Sequence, residues 1–252
     1  MDPVARTRYV IYNARMHFTI DGQSFLQVVQ PALVEQDAAK LAWLVSSRWR
    51  PRQLCPLLGD NDVQVRRVVA LTLGLVGDRA VVAGLTRALR DRDAQVNEMA
   101  EHSLWSIWFC SSDADAAQPF HEGVALLGTE SYRDAIERFD LARRIDTTFA
   151  EAYNQCAIAH FLLGRWNQSR QLCARAFELI PTHFGAIAGM GHCLAELGDL
   201  AGALGCYRRS LAINPRMEDI ASTVRRLEAK VDWPNGRGPI QIAPIMLPPP
   251  NQ

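Results

Sequence analysis

The side chains able to do chemistry in this 252-residue chain are six histidines, six cysteines and several closely spaced carboxylates. His17, His102, His121, His160, His183 and His192 make no HExxH or other metal-ligand pattern, and Cys55, Cys110, Cys156, Cys173, Cys193 and Cys206 form no CxxC pair. His192 and Cys193 with Cys206 come nearest to a ligand set. Neighbours on a helix point apart, so they read instead as core thiols beside a groove histidine. Asp113 and Asp115 lie in a polar stretch where paired carboxylates cap helices and meet water. Gly-rich phosphate loops and GxSxG are absent from the sequence. The expectation is a protein with no catalytic residue, no metal and no cofactor, and so not an enzyme.

Composition agrees with a binding role. The chain is 48% hydrophobic and 21% charged, with 27 basic against 27 acidic residues. That suits one extended array or two small domains, and the zero net charge argues against a dedicated nucleic-acid binder. The basic residues are nearly all Arg, Lys40 and Lys230 excepted, which suggests a GC-rich, bacterial genome. The opening "MDPVARTRYVIYNARM" lacks the apolar core of a signal peptide, and "VVALTLGLVG" from Val68 is too short to span a bilayer. A cytoplasmic protein with buried, reduced thiols and no membrane partner is expected.

Charge is uneven along the chain. Residues 48–92 hold nine Arg against four Asp, and residues 93–151 hold twelve acids against four Arg. Arg87 and Arg90 are the candidates for a basic patch toward an acidic partner or phosphates; the competing reading is pairing within the chain.

The elements that must position these residues are repeats. Pro181 and Pro215 are 34 residues apart, and similar text precedes each: "AEAYNQCAIAHFLLGRWNQSRQLCARAFELIP" from Ala150 and "FGAIAGMGHCLAELGDLAGALGCYRRSLAINP" from Phe184. A further step back gives "AAQPFHEGVALLGTESYRDAIERFDLARRIDT" from Ala116. Gly123, Ala157 and Gly191 align, as do Ala135, Ser169 and Ala203, then Ala142, Ala176 and Ser210; Phe139 and Tyr207 align with Cys173. Small residues let paired helices approach, Gly164 and Gly198 supply permissive turns, and the prolines stop the second helix.

This pattern resembles the tetratricopeptide family over residues 116–231, with "RMEDIASTVRRLEAKV" as a cap helix carrying Ile220, Val224, Leu227 and Val231 on one stripe. It departs at Pro119, Thr147 and His160. The resemblance implies a concave face lined by the first helix of each unit: Phe120, Val124 and Leu127; Asn154, Ile158, Phe161 and Leu162; Ala188, His192 and Ala195. The family's clamp for C-terminal carboxylates needs Lys and Asn where this chain has Phe120 and Val124, so an extended or helical apolar peptide is the expected ligand. For Phe161 and Leu162, packing within a tightly coiled array is the equal alternative.

Residues 31–110 resemble HEAT-like repeats of the phycobilin-lyase type. "DNDVQVRRVVALTLGLVGD" from Asp60 and "DRDAQVNEMAEHSLWSIWF" from Asp91 are offset by 31, with Val65 matching Val96 and Leu73 matching Leu104. "RAVVAGLTRALR" supplies a second helix, with Val81, Val82, Leu85, Ala88 and Leu89 on one face. The unit from Asp91 has a first helix and no second. Its Trp105, Trp108 and Phe109 are expected to bridge two arrays whose geometries differ; the rival reading is an exposed aromatic patch for a partner.

Residues 1–30 read as an extended arm or a hairpin turning at Asp21-Gly22. Residues 232–252 are Pro-rich and non-helical; their apolar "PIQIAPIMLPPP" either hangs free or lies across an apolar face of the same array or a second copy, a route to self-association. The expectation is thus an all-α solenoid acting as a scaffold for a protein or peptide partner. The runner-up is a regulatory or lyase-like accessory module of an enzyme system, and a phosphate or nucleic-acid binder comes third.

Overall fold

The computed structural model describes residues 20–110 and 113–231. Within them the chain forms thirteen α-helices and no strand, an all-α repeat array. The N-terminal block comprises α1 (Gly22–Val34), α2 (Ala38–Ser46), α3 (Pro51–Leu54), α4 (Val63–Val76), α5 (Val82–Ala88) and α6 (Ala94–Trp108), with 3-10 turns at Cys55–Gly59 and Arg79–Val81. Three helix hairpins follow: α7 (Ala114–Gly128) with α8 (Tyr132–Ile145), α9 (Ala150–Leu162) with α10 (Trp166–Leu179), and α11 (Phe184–Glu196) with α12 (Leu200–Ile213). The last helix is α13 (Glu218–Val231). The readings of the arm before residue 20 and of the Pro-rich tail, self-association included, fall outside the described residues.

One N-terminal expectation is corrected. Asp21-Gly22 starts a helix rather than turning a hairpin, because the Asp21 carboxylate accepts the Ser24 N–H at 2.8 Å and caps α1. The same device opens α2 through Asp37, α4 through Asp62 and α6 through Asp93. The residues matched at the 31-residue offset, Val65 with Val96 and Leu73 with Leu104, are all fully buried. Arg66 crosses to Asp91 with two bonds of 2.8 and 3.0 Å, and Arg67 meets Asp93 at 2.6 Å. Part of the arginine excess is therefore spent inside the block.

The 34-residue period is reproduced bond by bond. Helices α8, α10 and α12 start 34 residues apart. Each hairpin closes with the same wide turn: Ser131 N–H to the Leu126 carbonyl, Arg165 to His160 and Asp199 to Leu194, all at 2.9 Å. At the turn, Gly164 and Gly198 take positive φ of 71° and 85°; in the first hairpin Glu130 takes it, at 60°. Close packing needs the aligned small residues. A Cβ on Gly123 would lie 2.6 Å from the Phe139 ring, and one on Gly191 would lie 2.6 Å from the Tyr207 ring.

The aromatic end of α6 is a junction. Trp105 and Trp108 are 5% and 2% exposed, which supports bridging over an exposed patch. Both pack on the start of α11: Trp105 and Trp108 meet Phe184 edge-on at 5.4 and 5.1 Å, and a Cβ on Gly185 would strike Trp105 at 2.8 Å. Phe109 alone of the three has a ring contact in the first hairpin, 5.3 Å from Phe120. The N-terminal block thus lies along the edge where repeats connect. Arg79 donates to the Thr148 carbonyl, Arg90 to the Ala212 carbonyl, and Arg216 to Asn97 Oδ1 at 3.1 Å.

Candidate functional site

The expected concave residues divide into two groups. Phe120 is fully buried among Phe109, Phe149 at 4.5 Å and Phe139 at 5.9 Å. Leu127 is buried and Val124 half-buried in the same cluster, so the first hairpin's set is packed inward. In contrast, Asn154, Ile158 and Phe161 of α9 meet Ala188 and His192 of α11 around one crevice whose back wall is Cys173 of α10. Leu162 stands beside it, 43% exposed.

The crevice has a sequence cause. In the first and third hairpins an aromatic ring, Phe139 or Tyr207, fills the space against a glycine of the preceding helix. In the middle hairpin that ring is Cys173 and the facing residue is Ala157. Of that pair it is the small Cys173 side chain that borders a gap between α9, α10 and α11, lined also by Ser169 and Gly189. The space amounts to about 370 Å³ when its mouth, open to solvent, is included, and the room for the centre of a water-sized group is small, about 20 Å³.

Its polar groups are fixed from behind. Glu151 and His183 are fully buried, with His183 Nε2 2.7 Å from Glu151 Oε2. His183 Nδ1 accepts the Ala186 N–H, so the proton sits on Nε2 and is donated to the carboxylate. The other carboxylate oxygen accepts from Asn154 Nδ2 at 3.0 Å and Gln155 Nε2 at 2.7 Å. This network sets the orientation of Asn154 at the crevice wall. Glu151 and His183 were missed in the sequence: they lie 32 residues apart, one in α9 and the other at the N-cap of α11, and nothing local marks either.

On the far wall, His192 Nδ1 lies 2.9 Å from the Tyr207 hydroxyl. Burial pulls the imidazole down to about 4, leaving it neutral at physiological pH. Cys173 is held well above the ordinary thiol range, first by its hydrogen bond with Cys193 and then by burial. A neutral imidazole and a protonated Cys173 thiol can orient a ligand by hydrogen bonds and dispersion. Cys156, Cys173 and Cys193 are buried as expected; Cys110 departs from that expectation and is exposed, because it follows the last turn of α6.

The expected basic patch is a separate place. Arg87 and Arg90 are exposed and border a cleft of about 650 Å³ between the Cys55–Gly59 turn and α5, with Arg92 on the same rim.

No family model matches the chain. The sequence is similar to a TPR repeat-containing protein of Rhizobium etli, 28% identical over 97 residues; the match spans 38% of this chain and 48% of that protein, so the chain covers about half its relative's length. Among solved structures, the Sgt2 TPR domain from Aspergillus fumigatus superimposes with a TM-score of 0.47 at 18% identity, covering 50% of this chain and 86% of that one. The first TPR domain of Spaghetti (RPAP3), bound to an HSP90 peptide, gives 0.46 at 20% identity over 48% and 96%. YrrB, described as a TPR protein with an unusual peptide-binding site, gives 0.42 at 16% identity over 82% and 100%.

Proposed function

We propose that this chain is a non-catalytic adaptor of the bacterial cytoplasm that holds a protein partner in the crevice between α9 and α11. In this reading residues 31–110 form HEAT-like units and residues 116–231 form three tetratricopeptide units with a cap. The relative in Rhizobium etli supports the tetratricopeptide part. The observation that carries the function is the crevice itself: five residues expected to line a peptide groove, Asn154, Ile158, Phe161, Ala188 and His192, meet around one gap in the packing.

The lining is mainly apolar, with Asn154 held in one orientation by Glu151. Its open mouth suits an apolar side chain of an extended or helical peptide, laid beside Phe161 and Leu162, with its backbone near Asn154. Phe161 is the test residue because it is half-exposed and meets its neighbour His192 at 6.2 Å, at the edge of the crevice. Phe161→Glu should abolish partner capture from native lysate while the melting transition stays nearly unchanged. A sharp fall in melting temperature would make Phe161 a core residue and remove the groove assignment.

A further inference from the structure

The arginine cleft on the N-terminal block lies apart from the crevice and has its own chemistry. Arg87 and Arg92 are exposed, and among the described residues neither has a carboxylate within ion-pair distance; Arg90 spends one N–H on the Ala212 carbonyl and keeps the rest. The two carboxylates lining the cleft are already engaged. Asp91 accepts both bonds from Arg66 and the Asp93 N–H at 2.8 Å, and Asp60 accepts the Asp62 N–H at 2.8 Å. Arg66, only 4% exposed, also donates to the carbonyls of Asp60 and Asn61, which ties the cleft wall together before any ligand arrives.

We infer that this cleft binds an acidic peptide segment through Arg87, Arg90 and Arg92. Its volume of about 650 Å³ suits a segment of a few residues, and Leu58 and Ala88 give it apolar floor. The free donors decide the ligand class. At the cleft edge the Asp62, Gln64 and Asp93 N–H groups are taken by Asp60, Asp62 and Asp91, which interrupts the run of successive main-chain N–H groups that would cradle a compact phosphate. What remains is guanidinium forks on long arms. Arg87 sits in the last turn of α5 and Arg90 in the turn just past its end, where the Arg90 N–H meets the Arg87 carbonyl; three residues of such a turn span roughly 5–6 Å, close to the spacing of alternate side chains on an extended strand, roughly 7 Å. Carboxylates spread along a peptide match that arrangement, each fork taking one carboxylate. A nucleic acid fits less well: no aromatic ring lines the cleft to stack a base, and the whole chain carries no net positive charge.

This second site goes beyond the crevice reading and does not depend on it. The test is fluorescence anisotropy of a labelled peptide of alternating Glu and Ser, titrated with the full chain at low ionic strength. The proposal expects binding that Arg87→Glu/Arg92→Glu weakens by about tenfold or more, that Phe161→Glu leaves intact, and that a Lys/Ser peptide of equal length does not show. If the double reversal lowers the melting temperature, Arg87→Gln/Arg92→Gln takes its place with the same expectation. Absence of binding to the acidic peptide, or equal affinity in the double variant, overturns the proposal. So does tighter binding of a single-stranded oligonucleotide of equal charge that is lost in the same variant. A failure of Phe161→Glu to affect partner capture would touch the crevice alone.

Discussion

The Trp108 indole lies flat against the His183 imidazole, with ring centroids 4.2 Å apart and planes 15° from parallel. His183 in turn donates to the buried Glu151 carboxylate. One aromatic stack therefore ties the last turn of α6 to the polar network that orients Asn154 at the crevice. It joins the two halves of the molecule and links that joint to the candidate site. The bulk of "HSLWSIWF" has a use here: large, flat side chains fill the space between the end of α6 and the start of α11.

Trp108→Ala should cost about 3–5 kcal/mol, the range for removing a large buried aromatic. Urea denaturation of the full chain measures it. A loss below about 1 kcal/mol, accompanied by lost partner binding, would instead make this end of α6 a partner surface.

Glu130→Gly should stabilise the chain by roughly 1 kcal/mol. Glu130 holds a φ of 60° at the position where Gly164 and Gly198 serve in the other hairpins, and a side chain in the left-handed region costs about 1–2 kcal/mol, partly offset by glycine's greater unfolded freedom. An unchanged or lower denaturation midpoint would contradict this account of the turn.

His192 sets an acid limit on stability. Its imidazole titrates near 4 when folded, because burial disfavours the charged form, against about 6.5 when unfolded. Between those values the unfolded chain binds more protons, so this contribution is fully present above pH 6.5 and is lost as pH falls toward 4. From pH 7 to pH 4.5 the loss is roughly 2–3 kcal/mol. Comparing wild type with His192→Asn isolates it from carboxylates such as Asp93, held down to about 2 first by its bond with Arg67, which titrate in both proteins. Equal acid sensitivity of the two would mean that His192 is not kept neutral by burial.

Much of the repeat half was legible because its signal is local and recurs. Gly123, Gly191, Phe139 and Tyr207 sit where a 34-residue period puts them, and each glycine proves too close to a ring for a Cβ. The crevice was half legible. Cys173 was visible as the odd member of an aromatic position, but only the packing shows that a gap opens at Cys173. Phe120 was expected in the groove; in space, Phe109 arriving from α6 completes a ring cluster around it. Glu151–His183 and the docking of α6 on α11 were illegible, since both join segments far apart with no shared motif. Asp21-Gly22 misled because the same dipeptide serves a hairpin and a helix start, and residues beyond it decide which.

The central claim is that the missing ring at position 173 creates the partner site. The most direct measurement restores the ring with Ala157→Gly/Cys173→Phe, which copies the glycine–phenylalanine pair of the first hairpin, and quantifies partner recovered from lysate beside the melting temperature. The account predicts recovery reduced by about tenfold or more, since a ring at position 173 blocks the crevice mouth against an anchoring side chain, in a variant that still unfolds cooperatively although the added bulk lowers the melting temperature by a few degrees. Undiminished recovery by a stably folded double variant would contradict it.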